Sequence, residues 1–259
     1  MAATFPFTSA LVTGASSGIG EAMVELLAAQ NIPTVVVARR RDRLAELAAR
    51  HSCVTVLVAD LVAPDDLRAV VARVADDANP IDLVVNNAGF GTSGNFFELD
   101  ADRLDREVQL NVAALTRISR AALGAMVPRG RGYLLNVSSV ASFQSAPKLA
   151  VYAATKAYVT SFSESLHEEV RGSGVHVTAL CPGLTRTEFQ SVSSTERYAS
   201  RYPGFAWLEA EDVARAGLVD VAKGKTLSIP GGMYKGLVAT AGFLPRSFVR
   251  RASGIVQRD

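Results

Sequence analysis

The chain has 259 residues, 49% hydrophobic and 20% charged, with a formal net charge of +2. That length suits one large α/β domain, and so small a charge gives no argument for nucleic acid as a partner. Two cysteines and three histidines exclude a disulfide framework, and their spacing offers no metal site.

Taken in chain order, the pattern alternates. Residues 9–15, SALVTGA, form a short apolar run ending in glycine, which predicts a buried strand. Residues 20–30 have helical periodicity, 34–38 (TVVVA) are strand-like, 41–51 are helical and 54–60 (VTVLVAD) again read as strand. A helix over 64–77 opens with Pro and two acids, as helix N-termini do. A strand over 81–89, a long helix over 101–126 and a strand over 132–139 follow. The last clear pair is a helix through YAATKAYVTSFSESLHEEVR and the strand 175–183.

Six or seven strands alternating with helices predict an α/β fold, a doubly wound parallel sheet covered on both faces. No linker or long repeat divides the chain, so 1–259 is expected to be a single domain. Two stretches break the rhythm. Residues 184–208 are polar and aromatic, and 233–259 form a basic, partly apolar tail. After Asp220 the next acid is Asp259, with seven lysines and arginines between them. This is either a solvated tail or a face for anionic headgroups. The N-terminus lacks the basic region of a signal peptide, and no apolar run reaches the length of a membrane span. Cys53 and Cys181 lie in apolar runs and read as reduced core residues of a cytoplasmic protein.

TGASSGIG, residues 13–20, falls at the first strand-to-helix turn. Gly14, Gly18 and Gly20 let the backbone turn tightly and let a pyrophosphate approach the helix N-terminus, where free N–H groups and the positive dipole end favour it. The second strand ends in Ala38, followed by Arg39, Arg40 and Arg41, with no acid before Asp42. An acid there would bond a ribose 2′-hydroxyl, whereas a guanidinium suits a 2′-phosphate in charge and geometry. Arg39 and Arg40 therefore predict NADP(H) over NAD(H).

Tyr152 and Lys156 lie four residues apart, on one face of a predicted helix. A phenol beside an ammonium is either a surface pair or an acid poised to give up a proton, because a nearby cation lowers a phenol's pKa from about 10.

With NNAG (86–89), NVSS (136–139) and YAATK (152–156), the glycine loop resembles the short-chain dehydrogenase/reductase family, in its short single-domain branch. The resemblance covers about residues 9–232 and implies a Rossmann fold. It implies a reductase of ketones or aldehydes, or a dehydrogenase of the corresponding secondary alcohols, working by hydride transfer with Asn111, Ser139, Tyr152 and Lys156 as the catalytic set. Ser139, thirteen residues before Tyr152, would hold the substrate oxygen; Ser138 is its neighbour and the nearest rival. Asn111 would disturb its helix and hold a water on a proton relay. Tyr158 lacks a lysine four residues on and reads as packing.

The resemblance also implies cofactor contacts: Gly14, Ser16, Ser17, Gly18, Ile19 and Gly20 in the loop, Asp60 and Leu61 at the adenine, and Asn87, Ala88 and Gly89 beside the ribose. Pro182, Gly183, Thr185 and Thr187 would hold the nicotinamide end, with Tyr152 and Lys156 completing the site. Substrate contacts are expected from Ser139, Gln144, Leu149 and Tyr152, with Phe90 and Phe143 nearby. Residues 184–208 correspond to a substrate lid, whose aromatics favour an apolar substrate; the alternative is a structured loop packed on its own domain. The tail resembles that of a subgroup of bacterial short-chain reductases and of 3-ketoacyl and hydroxysteroid reductases, which implies a lipid-like, 3-oxoacyl or steroid substrate, or peripheral membrane contact. A homodimer or homotetramer is expected. A non-catalytic NADP(H) sensor is the alternative function.

Overall fold

The computed structural model describes residues 4–196, 200 and 202–243. Its main sheet has seven parallel strands in the order β3-β2-β1-β4-β5-β6-β9. These are β1 (Ala10–Thr13), β2 (Thr34–Ala38), β3 (Val54–Val58), β4 (Leu83–Asn86), β5 (Gly132–Val137), β6 (Val175–Leu180) and β9 (Leu227–Ser228). The doubly wound α/β architecture follows from the strands themselves. β1 and β4 are buried at every position, which only a sheet covered on both faces allows.

Successive residues point to opposite faces of the sheet. Ala10 and Val12 of β1, Leu83 and Val85 of β4, and Leu135 and Val137 of β5 enter one apolar layer. Leu11, Val84 and Leu134 enter the other. Three helices cover the first face: α1 (Gly18–Ala28), α2 (Arg41–Arg50) and α8 (Ala210–Ala222), through Met23, Leu27, Leu44, Leu47 and Leu218. The second face is covered by α3 (Pro64–Val74) and α5 (Leu115–Arg129), through Leu67, Val70, Ile118 and Met126.

The strand order reverses direction at β1 and β4. A crevice opens there beyond the strands' C-terminal ends, where ligands of such sheets bind. The loops after β1, β4, β5 and β6 all reach this end.

The long helix expected over 101–126 is interrupted. It runs as α4 (Ala101–Val108), a π-helical stretch Gln109–Ala114, then α5. Asn111 sits in the wide turn because its side chain is tied to two other segments. Its Nδ2 donates to the Phe90 carbonyl at 2.8 Å and to Thr155 Oγ1 at 3.1 Å, and its Oδ1 accepts from Phe90 N at 3.2 Å. Single π-turns of this kind are common at functional sites.

Helix α6 (Ala150–Glu169) follows β5. Beyond β6, residues 184–208 form β7 (Thr185–Arg186), a short α7 (Phe189–Val192) and β8 (Leu208–Glu209), with β7 and β8 pairing as a separate two-stranded ribbon. The tail begins as α9 (Gly232–Phe243); residues 244–259 lie outside the described residues. Cys181 is fully buried, but Cys53 is only half-buried, because it precedes the edge strand β3 rather than a central one.

Candidate active site

The loop after β1 is held open for a ligand by what surrounds its glycines. Gly14 has φ +66°, and a side chain there would meet Ala88 Cα at 2.8 Å. A Cβ on Gly20 would lie 2.4 Å from Asn87 Nδ2 and 2.5 Å from Gly14 O. Asn87 locks this packing by donating through Nδ2 to the carbonyls of Thr13 and Gly14 at 3.0 and 3.1 Å. The backbone N–H groups of Asn87 and Ala88 both donate to Thr13 Oγ1. Helix α1 then starts at Gly18 with no side-chain cap from Ser17, so its first N–H groups face the loop. This cradle fits a dinucleotide pyrophosphate.

Directly after β2, Arg39 and Arg40 are both exposed. Arg40 bridges to the glycine loop, its Nε donating to Ser16 Oγ at 3.0 Å and its Nη2 to Ser16 O at 3.1 Å. Asp60 lies two residues past β3 and caps its own turn, its Oδ1 accepting from Val62 N at 3.1 Å. Leu61 beside it is buried.

Helix α6 carries Tyr152 and Lys156 into the crevice, and both are buried. Lys156 Nζ donates to the Val137 carbonyl at 2.8 Å and lies 5.7 Å from the Tyr152 ring centroid. Burial pushes the Tyr152 phenol up to about 12; the Ser139 hydroxyl opposes this, and the charges of Glu107 and Cys181 add to it. Burial likewise pushes Lys156 down to about 8. The YxxxK spacing predicts a phenol made more acidic by the lysine. In this geometry burial sets the direction of the shift, and the ammonium donates to the Val137 carbonyl and not to the phenol.

The two serines after β5 divide. Ser138 Oγ donates to Lys156 O at 2.8 Å and shares a hydrogen bond with Thr160, inside the protein. Ser139 is the residue whose hydroxyl meets Tyr152. Its Oγ also accepts from Ala141 N at 3.1 Å, opening a 3₁₀ turn.

One group here escapes sequence reasoning. Glu107 is 0% exposed, and neither carboxylate oxygen has a hydrogen-bond partner among the described residues. Burial raises its pKa, against weaker opposing effects from Thr92, Arg103 and Lys156. Its position four residues before Asn111, hence on the same helix face, is the signal that could have marked it.

Of the aromatics in residues 184–208, Phe189 reaches the site. Its ring centroid is 5.3 Å from that of Tyr152. Phe205 is 80% exposed, Trp207 stacks under Arg186, Tyr202 is half-buried, and Tyr198 lies outside the described residues. Thr187 lies against Gly18, its Oγ1 accepting from Phe189 N at 3.2 Å, while Thr185 Oγ1 donates to Gly183 O at 3.0 Å. Pro182 O accepts from Val140 N at 3.0 Å, which ties this segment to the Ser139 turn.

Gln144 is exposed and Leu149 half-buried at the start of α6. The Phe90 ring is covered by Arg103 at 5.2 Å. Gly89 leaves room for Asn111 and Lys156: a Cβ there would meet Asn111 Oδ1 at 2.9 Å and Lys156 Nζ at 3.4 Å. Tyr158 stacks on Phe162 and shares a 2.9 Å hydrogen bond with Thr116, remote from the crevice. Among the described residues no cluster of His, Cys, Asp or Glu could hold a metal, and no helix is long and apolar enough to cross a membrane.

A parallel sheet with this strand order, a glycine cradle at its switch point and a buried Tyr–Lys pair beside it define a dinucleotide-dependent oxidoreductase. The chain belongs to the short-chain dehydrogenase family, whose model matches residues 8–197. An uncharacterized oxidoreductase of Staphylococcus epidermidis is 34% identical over 179 residues, covering 69% of this chain and 78% of the relative. The solved short-chain dehydrogenase from Sphingobium yanoikuyae in complex with NADPH superposes with a TM-score of 0.82 at 34% identity, over 91% of this chain and 93% of that one. The 3-ketoacyl-(acyl-carrier-protein) reductase from Brucella melitensis complexed with NADH superposes with a TM-score of 0.79 at 27% identity, over 88% and 98%.

Proposed function

We propose that this protein is an NADP(H)-dependent carbonyl reductase with Tyr152 as its proton donor. The observation that carries the proposal is the buried Tyr152, met by the Ser139 hydroxyl and flanked by the Lys156 ammonium. A bound nicotinamide would supply the hydride for such a reduction. Ser139 holds the carbonyl oxygen of the substrate. Tyr152 gives its phenolic proton to that oxygen as negative charge builds on it. Lys156 stabilises the phenolate left behind. Asn111, tied to the Phe90 and Thr155 segments, keeps the helix open behind the lysine, the place for a proton relay.

Arg39 and Arg40 support the preference for the phosphorylated cofactor by charge and fork geometry. An apolar substrate is supported by Phe189 against Tyr152. The likeness to a 3-ketoacyl reductase supports lipid-like or 3-oxoacyl candidates, with ketosteroids beside them. An apolar groove between α5 and α6, lined by Leu123, Val127, Phe162 and Leu166, supports self-association as a homodimer or homotetramer. In this reading the enzyme works in the cytoplasm, with residues 184–208 as a lid over the substrate.

The test is an NADPH-oxidation screen over ketones, aldehydes, ketosteroids and 3-oxoacyl thioesters, run beside Tyr152→Phe. Turnover is expected in the native chain and a loss of about 10²–10⁴-fold in the variant, with NADPH binding kept. Substantial residual activity in Tyr152→Phe would sink the mechanism.

A further inference from the structure

Arg40 does more than touch the glycine loop. Its Nη1 donates to Glu188 Oε2 at 2.7 Å, and Arg43 Nη2 lies 3.5 Å from Glu188 Oε1. The Ser17 hydroxyl lies near enough to favour the charge of the same carboxylate. Two guanidinium groups and a loop hydroxyl thus converge on one anion. The contact spans 148 residues of sequence and joins three places: the turn after β2, the glycine loop and the start of α7. The first two are the walls between which the ribose of a dinucleotide lies.

The donor set is the one a phosphate ester would recruit: planar forks beside a hydroxyl and a helix N-terminus. Arg40 holds the Glu188 carboxyl below the ordinary glutamate range, so it is an anion at neutral pH. Both members of the pair are about two-fifths exposed, so the bond is weak enough to exchange for a better ligand.

We propose that Glu188 is a cofactor-selectivity residue: its carboxylate is the chain's own occupant of the 2′-phosphate site, and NADP(H) must displace it whereas NAD(H) need not. This rests on the NADP(H) reading above. The carboxylate satisfies Arg40 and Arg43 when the ribose carries only a hydroxyl, so the arginines are not left unpaired with NADH. It competes with the 2′-phosphate when NADPH arrives. Glu188 therefore narrows the discrimination that the arginines alone would give.

Glu188 also borders the substrate side. Glu188 O accepts from Val192 N at 3.2 Å within α7. The next residue, Phe189, packs its ring on Tyr152. The side chain that would be displaced is thus one residue from the ring on Tyr152, while the backbone bond from Val192 N to Glu188 O does not depend on the carboxylate.

The test is binding, without turnover. Native protein, Glu188→Gln, Glu188→Ala and Arg40→Gln are titrated with NADPH, NADH, 2′,5′-ADP and 5′-AMP by calorimetry, with thermal melts to show that each variant is folded. Both Glu188 variants are expected to tighten NADPH and 2′,5′-ADP by roughly two- to fivefold, the scale of an exposed ion pair, and to leave NADH and 5′-AMP unchanged.

The inference is overturned if the Glu188 variants bind 2′,5′-ADP no more tightly than the native chain, or if NADPH and NADH shift by the same factor. Arg40→Gln separates the two levels. If it weakens 2′,5′-ADP while the Glu188 variants change nothing, the NADP(H) reading stands and the inference falls. If it leaves 2′,5′-ADP binding untouched, both fall.

Discussion

The Lys156 ammonium sits 5.7 Å from the centre of the Tyr152 ring while it donates to the Val137 carbonyl 2.8 Å away. It is close enough to favour a phenolate and is anchored by a group other than the phenol. Burial brings its pKa down to about 8, so its charge is lost as pH rises through that value. The phenol, pushed up to about 12, stays protonated over the same range. The rate of carbonyl reduction is therefore expected to fall about tenfold per pH unit above about 8, because the phenolate formed on proton transfer then lacks its counter-charge. Lys156→Met is expected to lower the rate and to remove this limb. A profile from pH 6 to 10 checks both, and a native rate that stays level to pH 9.5 excludes the lysine as the titrating group.

The two arginines after β2 are separable. Arg40 is bonded to Ser16 and Glu188, whereas Arg39 directly follows the end of the strand and faces solvent. Replacing either by Asp puts a negative charge where a 2′-phosphate would lie. A charge-assisted hydrogen bond lost in this way corresponds to a KM for NADPH roughly ten- to a hundredfold higher. The KM for NADH should stay level or fall. If Arg39→Asp leaves the NADPH value unchanged and Arg40→Asp raises it, recognition belongs to Arg40 alone.

Glu107 predicts a pH-dependent stability. Burial raises its carboxyl pKa above 4.5, so the folded chain keeps a proton that the unfolded chain releases. By linkage, stability from this group is complete below 4.5 and is lost as pH rises through the raised folded value. Glu107→Gln, neutral at every pH, is expected to be more stable than the native protein at pH 8 by about 1.4 kcal/mol for each unit by which burial raises the carboxyl pKa. At pH 5 the difference should shrink. Thermal melts at the two pH values decide it, and an equal difference at both would show that the carboxyl does not titrate between them.

The sheet was legible because its central strands are short unbroken apolar runs, and only burial on both faces makes those. The glycine loop and Tyr152–Lys156 were legible because each is local: a turn that only glycine fits, and two side chains one helical turn apart. What escaped depends on distant contacts. Glu107 looks like any helix acid until the loop carrying Thr92 closes over it. The Arg40–Glu188 pair joins residues 148 apart, and no periodicity reports such a meeting. The aromatic composition of residues 184–208 suggested several rings over the substrate. Their backbone instead pairs as β7 and β8, which leaves Phe189 on Tyr152 and Phe205 in solvent. The tail gave no periodic signal, yet α9 carries Tyr234, which is buried under the segment after β6.

Tyr234 joins that segment to the far end of residues 184–208. Its hydroxyl accepts from Leu184 N at 3.0 Å and donates to Ala206 O at 2.7 Å. Its ring fills the space beside Gly183, where an added Cβ would lie 2.0 Å from Cζ. Gly183 must therefore stay without a side chain, for packing rather than for backbone freedom. Gly183→Ala is expected to cost about 1–3 kcal/mol as an overpacked site, read as a lower midpoint in urea. Tyr234→Phe keeps the ring and removes the hydroxyl, leaving Leu184 N and Ala206 O without this partner. Its expected cost is similar in size, about 1–3 kcal/mol, but different in kind. Amide exchange should quicken at residues 184–186 and 206–208, with the central strands still protected. If Tyr234→Phe lowers stability uniformly and these amides are no faster than the rest, α9 supports the fold as a whole and does not fasten this segment.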